Sequence, residues 1–233
     1  RITDGSKLDE FTKLLRESVF HHEESGFSGD SQCDLWKRGF RVREAFHVEN
    51  LSLFKAYMDN CHRMRRRHDD HEIAPEPISP AVGGALELFS EGMSISKGLS
   101  ESVQERMLFH GTTLETAQKI VLDGFDSRLS NTTGFYGMGT YFASQTCKSA
   151  QYGCDGTIIL ARVALGDPHY TARVDQQLRR PPTKDGHTIC CDSVIARPGP
   201  MHGHHHGTQS HQEFVIFEQM QAYPEYVLRY HCE

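Results

Sequence analysis

Three segments rich in β-branched and aromatic residues dominate the second half of the chain. They read TIILARVAL at 157–165, EFVIFEQ at 213–219 and EYVLRYH at 225–231. This composition is typical of β-strands, and we expect a turn containing Pro224 between the last two. Helical patterns lie mainly ahead of these strands, and the two kinds of segment do not alternate. The order therefore predicts an α+β domain built on antiparallel sheets.

Apolar residues in the first half recur at intervals of three and four positions, as on one face of an amphipathic helix. This spacing predicts one helix within 8–19 and a second within 54–64. A third helix is expected further along the chain. We expect Thr112 or Thr113 to cap its N-terminus and Gly124 to end it.

Two other segments carry weaker signals. Residues 40–48 are typical of a strand with an irregular middle. Residues 73–103 are rich in proline, glycine and serine, which indicates a long connection or an insertion. The chain shows no internal sequence repeat.

Net charge and cysteine content limit the expected binding partners and the cellular compartment. The 233 residues carry a net charge of −6, so no global field recruits nucleic acid or acidic lipid. Seven cysteines without the spacing of a small disulfide framework favour free thiols in a reducing intracellular compartment, nuclear or cytoplasmic. No apolar run approaches the ~20 residues of a membrane-spanning helix. We therefore expect neither a membrane nor a nucleic-acid partner.

The stretch GFYGMGTYFASQTCKSAQY at 134–152 combines flexible backbone with aromatic side chains. Gly137 and Gly139 permit positive φ or a close approach of the backbone to a ligand. Tyr141 and Phe142 follow in a short strand, so we expect their side chains on opposite faces. A hairpin with buried aromatic residues is an equally good interpretation of this segment alone.

Ser149 and Tyr152 lie three positions apart, so one helical turn places a hydroxyl and an aromatic ring on one face. A ring for stacking, a hydroxyl for hydrogen bonding and exposed backbone together suit a planar ligand that carries an amide. The combination indicates a ligand site in this part of the chain.

Ordered motifs along the chain resemble the catalytic domain of the poly(ADP-ribose) polymerases, and among its members the tankyrases most closely. The resemblance runs from about Phe40 to the C-terminus and includes GFD at 124–126 with Arg128. The other motifs are RMLFHGT (106–112), YGMGTYFA (136–143), KSAQY (148–152), LARVALGD (160–167) and QAYPEYVLRY (221–230). It implies the ADP-ribosyltransferase fold, with two packed, mainly antiparallel β-sheets and flanking helices.

The resemblance also implies where the site residues lie. His110, Tyr141 and Glu213 match the family's catalytic triad, with His110 placed to bind the adenosine-side ribose of NAD+ and Thr112 near it. The NAD+-binding residues implied by the same motifs are Gly111, Thr112, Asp126, Arg128, Tyr136, Phe142, Lys148, Ser149 and Tyr152.

The resemblance is most specific about the residues that bind the nicotinamide end of NAD+. By resemblance, the Gly111 backbone and the Ser149 hydroxyl bind the carboxamide, while Tyr141 and Tyr152 sandwich the ring. Lys148 is expected on the acceptor side.

The implied reaction displaces nicotinamide from C1′ of its ribose by a nucleophile of a protein acceptor, with the protein itself among the candidates. Positive charge develops on the sugar, so an adjacent carboxylate stabilises the transition state. Glu213 is the expected carboxylate. Because family members lacking the glutamate lose chain elongation, Glu213 favours poly(ADP-ribose) synthesis. Transfer of single units, a catalytically silent NAD+-binding module and a secreted toxin-like transferase are the alternatives.

The resemblance suggests a division of the chain into an N-terminal helical extension, 1–35, and a catalytic domain, 36–233. The catalytic domain then contains the long insertion 73–103. The residues ahead of the catalytic domain are too few for the autoinhibitory helical subdomain of some family members.

No metal cofactor is expected. Tankyrases carry a zinc site after the stacking tyrosine, whereas here Tyr152 runs almost directly into a strand with only Cys154 between. The other candidate metal ligands are His187 with the adjacent Cys190 and Cys191, and the histidine-rich run 201–211. For both we favour no functional metal centre. The alternative for the histidine-rich run is a metal- or pH-dependent gate for the acceptor.

Overall fold

The computed structural model describes residues 1–19, 39–78, 98–126, 134–197, 199–200 and 209–233. Within these ranges the helices are α1 (Gly5–Glu17), α2 (Leu51–Asp70), α3 (Leu114–Asp123) and α4 (Thr146–Ala150). The strands are β1 (Phe40–His47), β2 (Glu105–Thr112), β3 (Thr140–Ala143), β4 (Thr157–Ala164), β5 (Pro168–Thr171), β6 (Ser193–Ala196), β7 (Gly199–Pro200), β8 (Gln209–Ser210), β9 (Glu213–Ile216) and β10 (Ala222–Cys232).

One sheet holds eight strands in the order β1-β10-β4-β2-β3-β9-β6-β5. Its neighbouring strands run antiparallel, except for the parallel pair β5 and β6. In the middle, β2 and β3 share only the residue pair Phe109–Ala143. The sheet therefore consists of two four-stranded halves joined at one point, and β7 pairs with β8 in a separate small sheet.

The predicted α+β architecture with mainly antiparallel pairing is confirmed. The two packed sheets implied by the resemblance correspond here to the two halves of a continuous ladder. They form one sheet because backbone pairing continues across Phe109 and Ala143. The junction matters for function because the ends of several strands meet there.

The helices begin and end at the expected types of residue. Thr113 precedes α3, and its hydroxyl accepts a hydrogen bond from the Thr116 backbone N–H at 3.3 Å. Gly124 ends this helix with φ of 85°, a conformation that glycine adopts without steric cost. The caps predicted for this helix are therefore confirmed, with Thr113 as the N-terminal residue.

The half-sheet β1-β10-β4-β2 is buried on both faces. Along β4, Ile159 belongs to one hydrophobic cluster, whereas its neighbours Ile158 and Leu160 belong to another. Helices α2 and α3 contribute to the first cluster, and α1 and α4 to the second. Burial of both faces explains why the segment 157–165 reads as an almost continuous apolar run instead of an alternating one.

The turn predicted at Pro224 is wrong. Pro224 lies inside β10, where it pairs with Ala161, and the chain turns earlier, at Gln219–Gln221. The register between β10 and β4 shifts between Pro224 and Tyr226. A proline is tolerated at such an irregularity because the local ladder is already interrupted.

Other predicted features have simpler outcomes. The irregular middle predicted for 40–48 is confirmed by a register shift between Val42 and Glu44 in β1. Most of the predicted insertion, 79–97, lies outside the described residues. The cysteines that the structure describes are free. No helix within the described ranges is long and apolar enough to span a membrane.

Candidate active site

A cavity of about 990 Å³ opens where the two halves of the sheet meet. Its walls come from β2, β3, α3, α4 and the first residue of β9. The predicted site residues that line it are His110, Gly111, Thr112, Asp126, Tyr141, Phe142, Lys148, Ser149, Tyr152 and Glu213. Residues that are more than 100 positions apart in the sequence thus share one cavity.

Strand β2 and helix α4 approach so closely at Gly111 that no side chain fits between them. A Cβ atom at position 111 would lie 1.6 Å from the Ser149 carbonyl oxygen. The Ser149 hydroxyl donates a hydrogen bond to the Phe109 carbonyl at 3.2 Å. The Gly111 backbone and the Ser149 hydroxyl therefore lie side by side on the cavity wall, an arrangement that suits a carboxamide group.

The His110 imidazole is fixed by one hydrogen bond and two aromatic rings. Its Nδ1 lies 2.8 Å from the Tyr141 carbonyl oxygen, which can only accept, so Nδ1 carries the proton. The rings of Phe125 and Phe142 pack against it at centroid distances of 5.3 and 5.6 Å. Burial lowers the pKa of His110, which favours the neutral ring and leaves Nε2 free to act as an acceptor. A neutral His110 can accept a hydrogen bond from a ribose hydroxyl.

The Tyr141 hydroxyl forms hydrogen bonds with the backbone of the segment that precedes β3. It donates to the Gly137 carbonyl at 2.8 Å and accepts from the Tyr136 backbone N–H at 2.9 Å. Burial raises the pKa of Tyr141, so the phenol stays neutral at ordinary pH. Phe142, the next residue of β3, belongs to a different hydrophobic cluster, which confirms that the two side chains point to opposite faces.

Glu213 is held rigidly because its backbone pairs with Ala143 on one side and Ala196 on the other. Its side chain is buried, and Oε1 lies 3.0 Å from the Lys148 Nζ. The same ammonium lies over the Tyr152 ring, 5.6 Å from its centroid. A positive charge thus already occupies the space between a carboxylate and an aromatic face.

Two residues of the predicted set are not among those lining the cavity. The Tyr136 side chain is 1% exposed and belongs to a hydrophobic cluster with Val194 and Val215. Its neighbour Phe135 lines the cavity instead. Arg128 lies outside the described residues.

Sequence reasoning missed one wall of the cavity. The additional lining residues from α3 and its surroundings are Thr113, Thr116, Lys119, Ile120, Asp123 and Gln219. Those within α3 recur at intervals of three and four, so they share one face of the helix. This spacing, directly after the histidine–glycine motif, was the available signal.

The candidate metal ligands do not assemble in the part of the chain that the structure describes. There, no group of three or more His, Cys, Asp or Glu side chains is placed to hold a metal ion. His211 is buried, with its Nε2 3.9 Å from the Cys147 Sγ. The rest of the histidine-rich run, 201–208, lies outside the described residues.

Comparison with known proteins assigns the family. Residues 36–232 match the poly(ADP-ribose) polymerase catalytic domain. The chain belongs to this family. It therefore contains the catalytic domain that defines this family.

Several curated relatives are 28–32% identical to this chain over the aligned segments. The protein mono-ADP-ribosyltransferase PARP12 of Homo sapiens is 32% identical over 151 residues, 61% of this chain and 19% of its own length. PARP11 of Mus musculus is 30% identical over 155 residues, 55% of this chain and 43% of its own length. PARP3 of Gallus gallus is 28% identical over 153 residues, 54% of this chain and 28% of its own length.

All three relatives are named mono-ADP-ribosyltransferases, and the chain spans less than half of the length of each. The expectation of membership in the family is confirmed. The narrower likeness to tankyrases receives no support from these relatives.

Proposed function

We propose that the protein transfers single ADP-ribose units from NAD+ to protein acceptors. The observation that supports the transferase activity in this proposal is the Lys148 ammonium, held between the Glu213 carboxylate and the Tyr152 ring. The cavity can evidently stabilise a cation at this point. The pyridinium of bound NAD+, stacked on a tyrosine, and the positive charge that develops at C1′ as nicotinamide leaves have the same electrostatic requirement.

Binding would depend on the wall formed by β2 and α4. The carboxamide of nicotinamide bonds to the Gly111 backbone and the Ser149 hydroxyl, and its ring stacks on Tyr152. Tyr152 is 59% exposed, so part of its ring stays accessible to a ligand beside the Lys148 ammonium. His110 accepts a hydrogen bond from the adenosine-side ribose through Nε2.

The transfer step then breaks the bond between C1′ and the nicotinamide nitrogen. Nicotinamide leaves as a neutral molecule with the bonding electron pair, and a nucleophilic atom of the acceptor forms the new bond to C1′ and loses its proton. Glu213 stabilises the positive sugar in the transition state and accepts a hydrogen bond from its hydroxyl. Removing one such preorganised group typically lowers kcat by roughly 10²–10³.

The relatives favour single transfers because all three are named mono-ADP-ribosyltransferases. Chain elongation is the second candidate, since Glu213 occupies the position that the family needs for it. The two products require different acceptors, a protein side chain in one case and the ribose of a bound ADP-ribose in the other.

Incubation with NAD+ labelled in the adenylate portion, followed by gel electrophoresis, separates these functions. Single transfer predicts a sharp labelled band at the mass of the acceptor or of the protein itself. Chain elongation predicts a smear or ladder, which would replace the first proposal by the second. Unmodified protein that binds NAD+ without releasing nicotinamide would contradict both.

A further inference from the structure

Helix α4 carries two residues that line the cavity, yet its own sequence gives it little stability. Lys148 and Ser149 lie in this helix, which is only five residues long. Its N-cap residue, Gln145, makes no side-chain hydrogen bond to the first turn. A helix this short is marginal in isolation, because most helical stability in proteins comes from tertiary packing. The position of Lys148 and Ser149 in the cavity wall therefore depends on the residues that hold α4 from outside.

Ser18, the residue that ends α1, holds the first residue of α4 through two hydrogen bonds. The Thr146 backbone N–H donates to the Ser18 carbonyl at 3.1 Å, and the two side-chain hydroxyl oxygens lie 2.6 Å apart. The Ser18 hydroxyl donates its single proton to the Leu14 carbonyl at 2.7 Å, so the Thr146 hydroxyl donates to Ser18. Ser18 and Thr146 are both fully buried. Each therefore depends on the other for a hydrogen-bond partner that bulk solvent cannot replace.

Apolar contacts reinforce the link between the two helices. One buried hydrophobic cluster includes Phe11, Leu14 and Leu15 of α1 together with Cys147 and Ala150 of α4. These two α4 residues do not line the cavity, whereas the two residues between them do. Helix α4 therefore has one side toward α1 and another toward the cavity.

We propose that Ser18 positions α4, through Thr146, to bind the nicotinamide end of NAD+. This inference rests on the proposed function, in which the Ser149 hydroxyl binds the carboxamide. Ser18 does not line the cavity, so it is a positioning residue and not a catalytic one. Helix α1 precedes the range 36–232 that matches the family domain, so a segment outside that range completes the site.

The effect should fall on NAD+ binding more than on the transfer step. Glu213 is positioned by backbone pairing with β3 and β6, which a small shift of α4 leaves in place. The contacts of Ser149 with the carboxamide are made in the ground state and in the transition state alike. Weakening them raises KM for NAD+ and leaves kcat little changed.

Thr146→Val tests the link, because it removes the hydroxyl donor and keeps the branched shape of the side chain and the backbone hydrogen bond. The full chain with this change should bind NAD+ about three- to ten-fold more weakly, the range expected from the loss of one hydrogen bond. The kcat for nicotinamide release should stay within about two-fold of the wild-type value. Thr146→Ser keeps the donor and should restore the affinity. Calorimetric titration and a nicotinamide-release assay measure these quantities.

Thr12→Val is the matched control, since Thr12 also lies in α1 and its hydroxyl is also used in a hydrogen bond. That hydroxyl accepts from the Val42 backbone N–H of β1 at 3.1 Å and does not contact α4. The control should keep wild-type NAD+ affinity even if urea unfolding shows that it is less stable.

The proposal is overturned if Thr146→Val binds NAD+ as tightly as wild-type protein, or if Thr12→Val weakens binding as much as Thr146→Val does. Failure of Thr146→Ser to restore the affinity would also overturn it. Wild-type protein that binds NAD+ without releasing nicotinamide would instead contradict the proposed function. The Kd values of the variants would still decide the role of Ser18 in that case, so the two failures are distinguishable.

Discussion

Gly111 shows how single residues determine the geometry of the site. Only hydrogen fits on its Cα, because the Ser149 carbonyl occupies the place of a side chain. The same contact puts a backbone edge next to a hydroxyl. At this scale the sequence was informative: the motif that contains His110 and Gly111 indicates a site, and both residues line the cavity. The clash that makes glycine necessary involves a residue 38 positions away and was not foreseeable.

Replacing Gly111 with alanine should destabilise the protein and abolish NAD+ binding. The added methyl group forces β2 and α4 apart, and overpacking of this kind typically costs about 1–3 kcal/mol. Urea unfolding and calorimetric titration with NAD+ measure the two effects. Gly5→Ala is the control, since nothing lies within 4 Å of a Cβ at that position. Unchanged NAD+ affinity in Gly111→Ala would contradict the close packing.

The pH dependence of stability should reflect His110. Burial lowers its pKa in the folded state, so below the ordinary value of about 6.5 the unfolded chain binds a proton that the folded chain does not. Stability is therefore lost as the pH falls from about 6.5 through the lowered value. His68 and His169 are shifted in the same direction, also by burial.

The variant His110→Asn removes one of these three contributions. The slope of unfolding free energy against pH, between about pH 6.5 and 5, should decrease by up to about 1.4 kcal/mol per pH unit. Urea unfolding at a series of pH values measures it. An identical slope in the two proteins would show that His110 does not titrate differently on folding.

At the scale of helices and strands, the sequence predicted features that depend on neighbouring residues, but not features that depend on contacts between distant segments. The ends of α3 follow from Thr113 and Gly124, whose effects on the chain are local. Pro224 was misjudged because its position inside β10 depends on an irregular pairing with β4. Tyr136 was named as a site residue through its motif, whereas its burial depends on packing against Val194 and Val215, which lie far away in the sequence.

Asn50 joins two helices and provides a test at this scale. Its Oδ1 caps α2 by accepting from the Leu53 N–H at 3.1 Å, and its Nδ2 donates to the Val121 and Leu122 carbonyls of α3. Asn50→Ala should lower the unfolding free energy by about 1–2 kcal/mol for the cap alone. Asn50→Asp keeps the cap and loses the donor, so it should retain part of the stability. Equal losses in both variants would assign the effect to the contacts with α3.

At the scale of the whole molecule, a buried charged network connects three strands and a helix. Arg162 of β4 donates to Glu105 of β2 at 3.2 Å and to Glu225 of β10 at 3.0 Å. The Tyr57 hydroxyl of α2 donates to Glu105 at 2.7 Å. The sequence could not show this network, because its members are paired only by the fold. The sequence could not show the single residue pair between the two half-sheets either, because that pairing also depends on the fold.

Removal of Arg162 should be among the most destabilising single changes. Arg162→Met leaves two carboxylates without their cation, and breaking a buried pair in this way typically costs about 3–5 kcal/mol. Urea unfolding measures the loss. Adding Glu105→Gln should recover part of it, because a neutral amide can still accept from Tyr57. If the double variant recovers no unfolding free energy, the loss in Arg162→Met does not come from the unpaired Glu105 carboxylate.

The central claim is that the Glu213 carboxylate stabilises the positive sugar in the transition state instead of binding NAD+ in the ground state. The most direct measurement compares Glu213→Gln with wild-type protein in NAD+ titration and in nicotinamide release. We predict that the Kd for NAD+ changes by no more than about three-fold while kcat falls roughly 10²- to 10³-fold. Wild-type turnover in Glu213→Gln, or a loss of NAD+ affinity as large as the loss of kcat, would contradict the account.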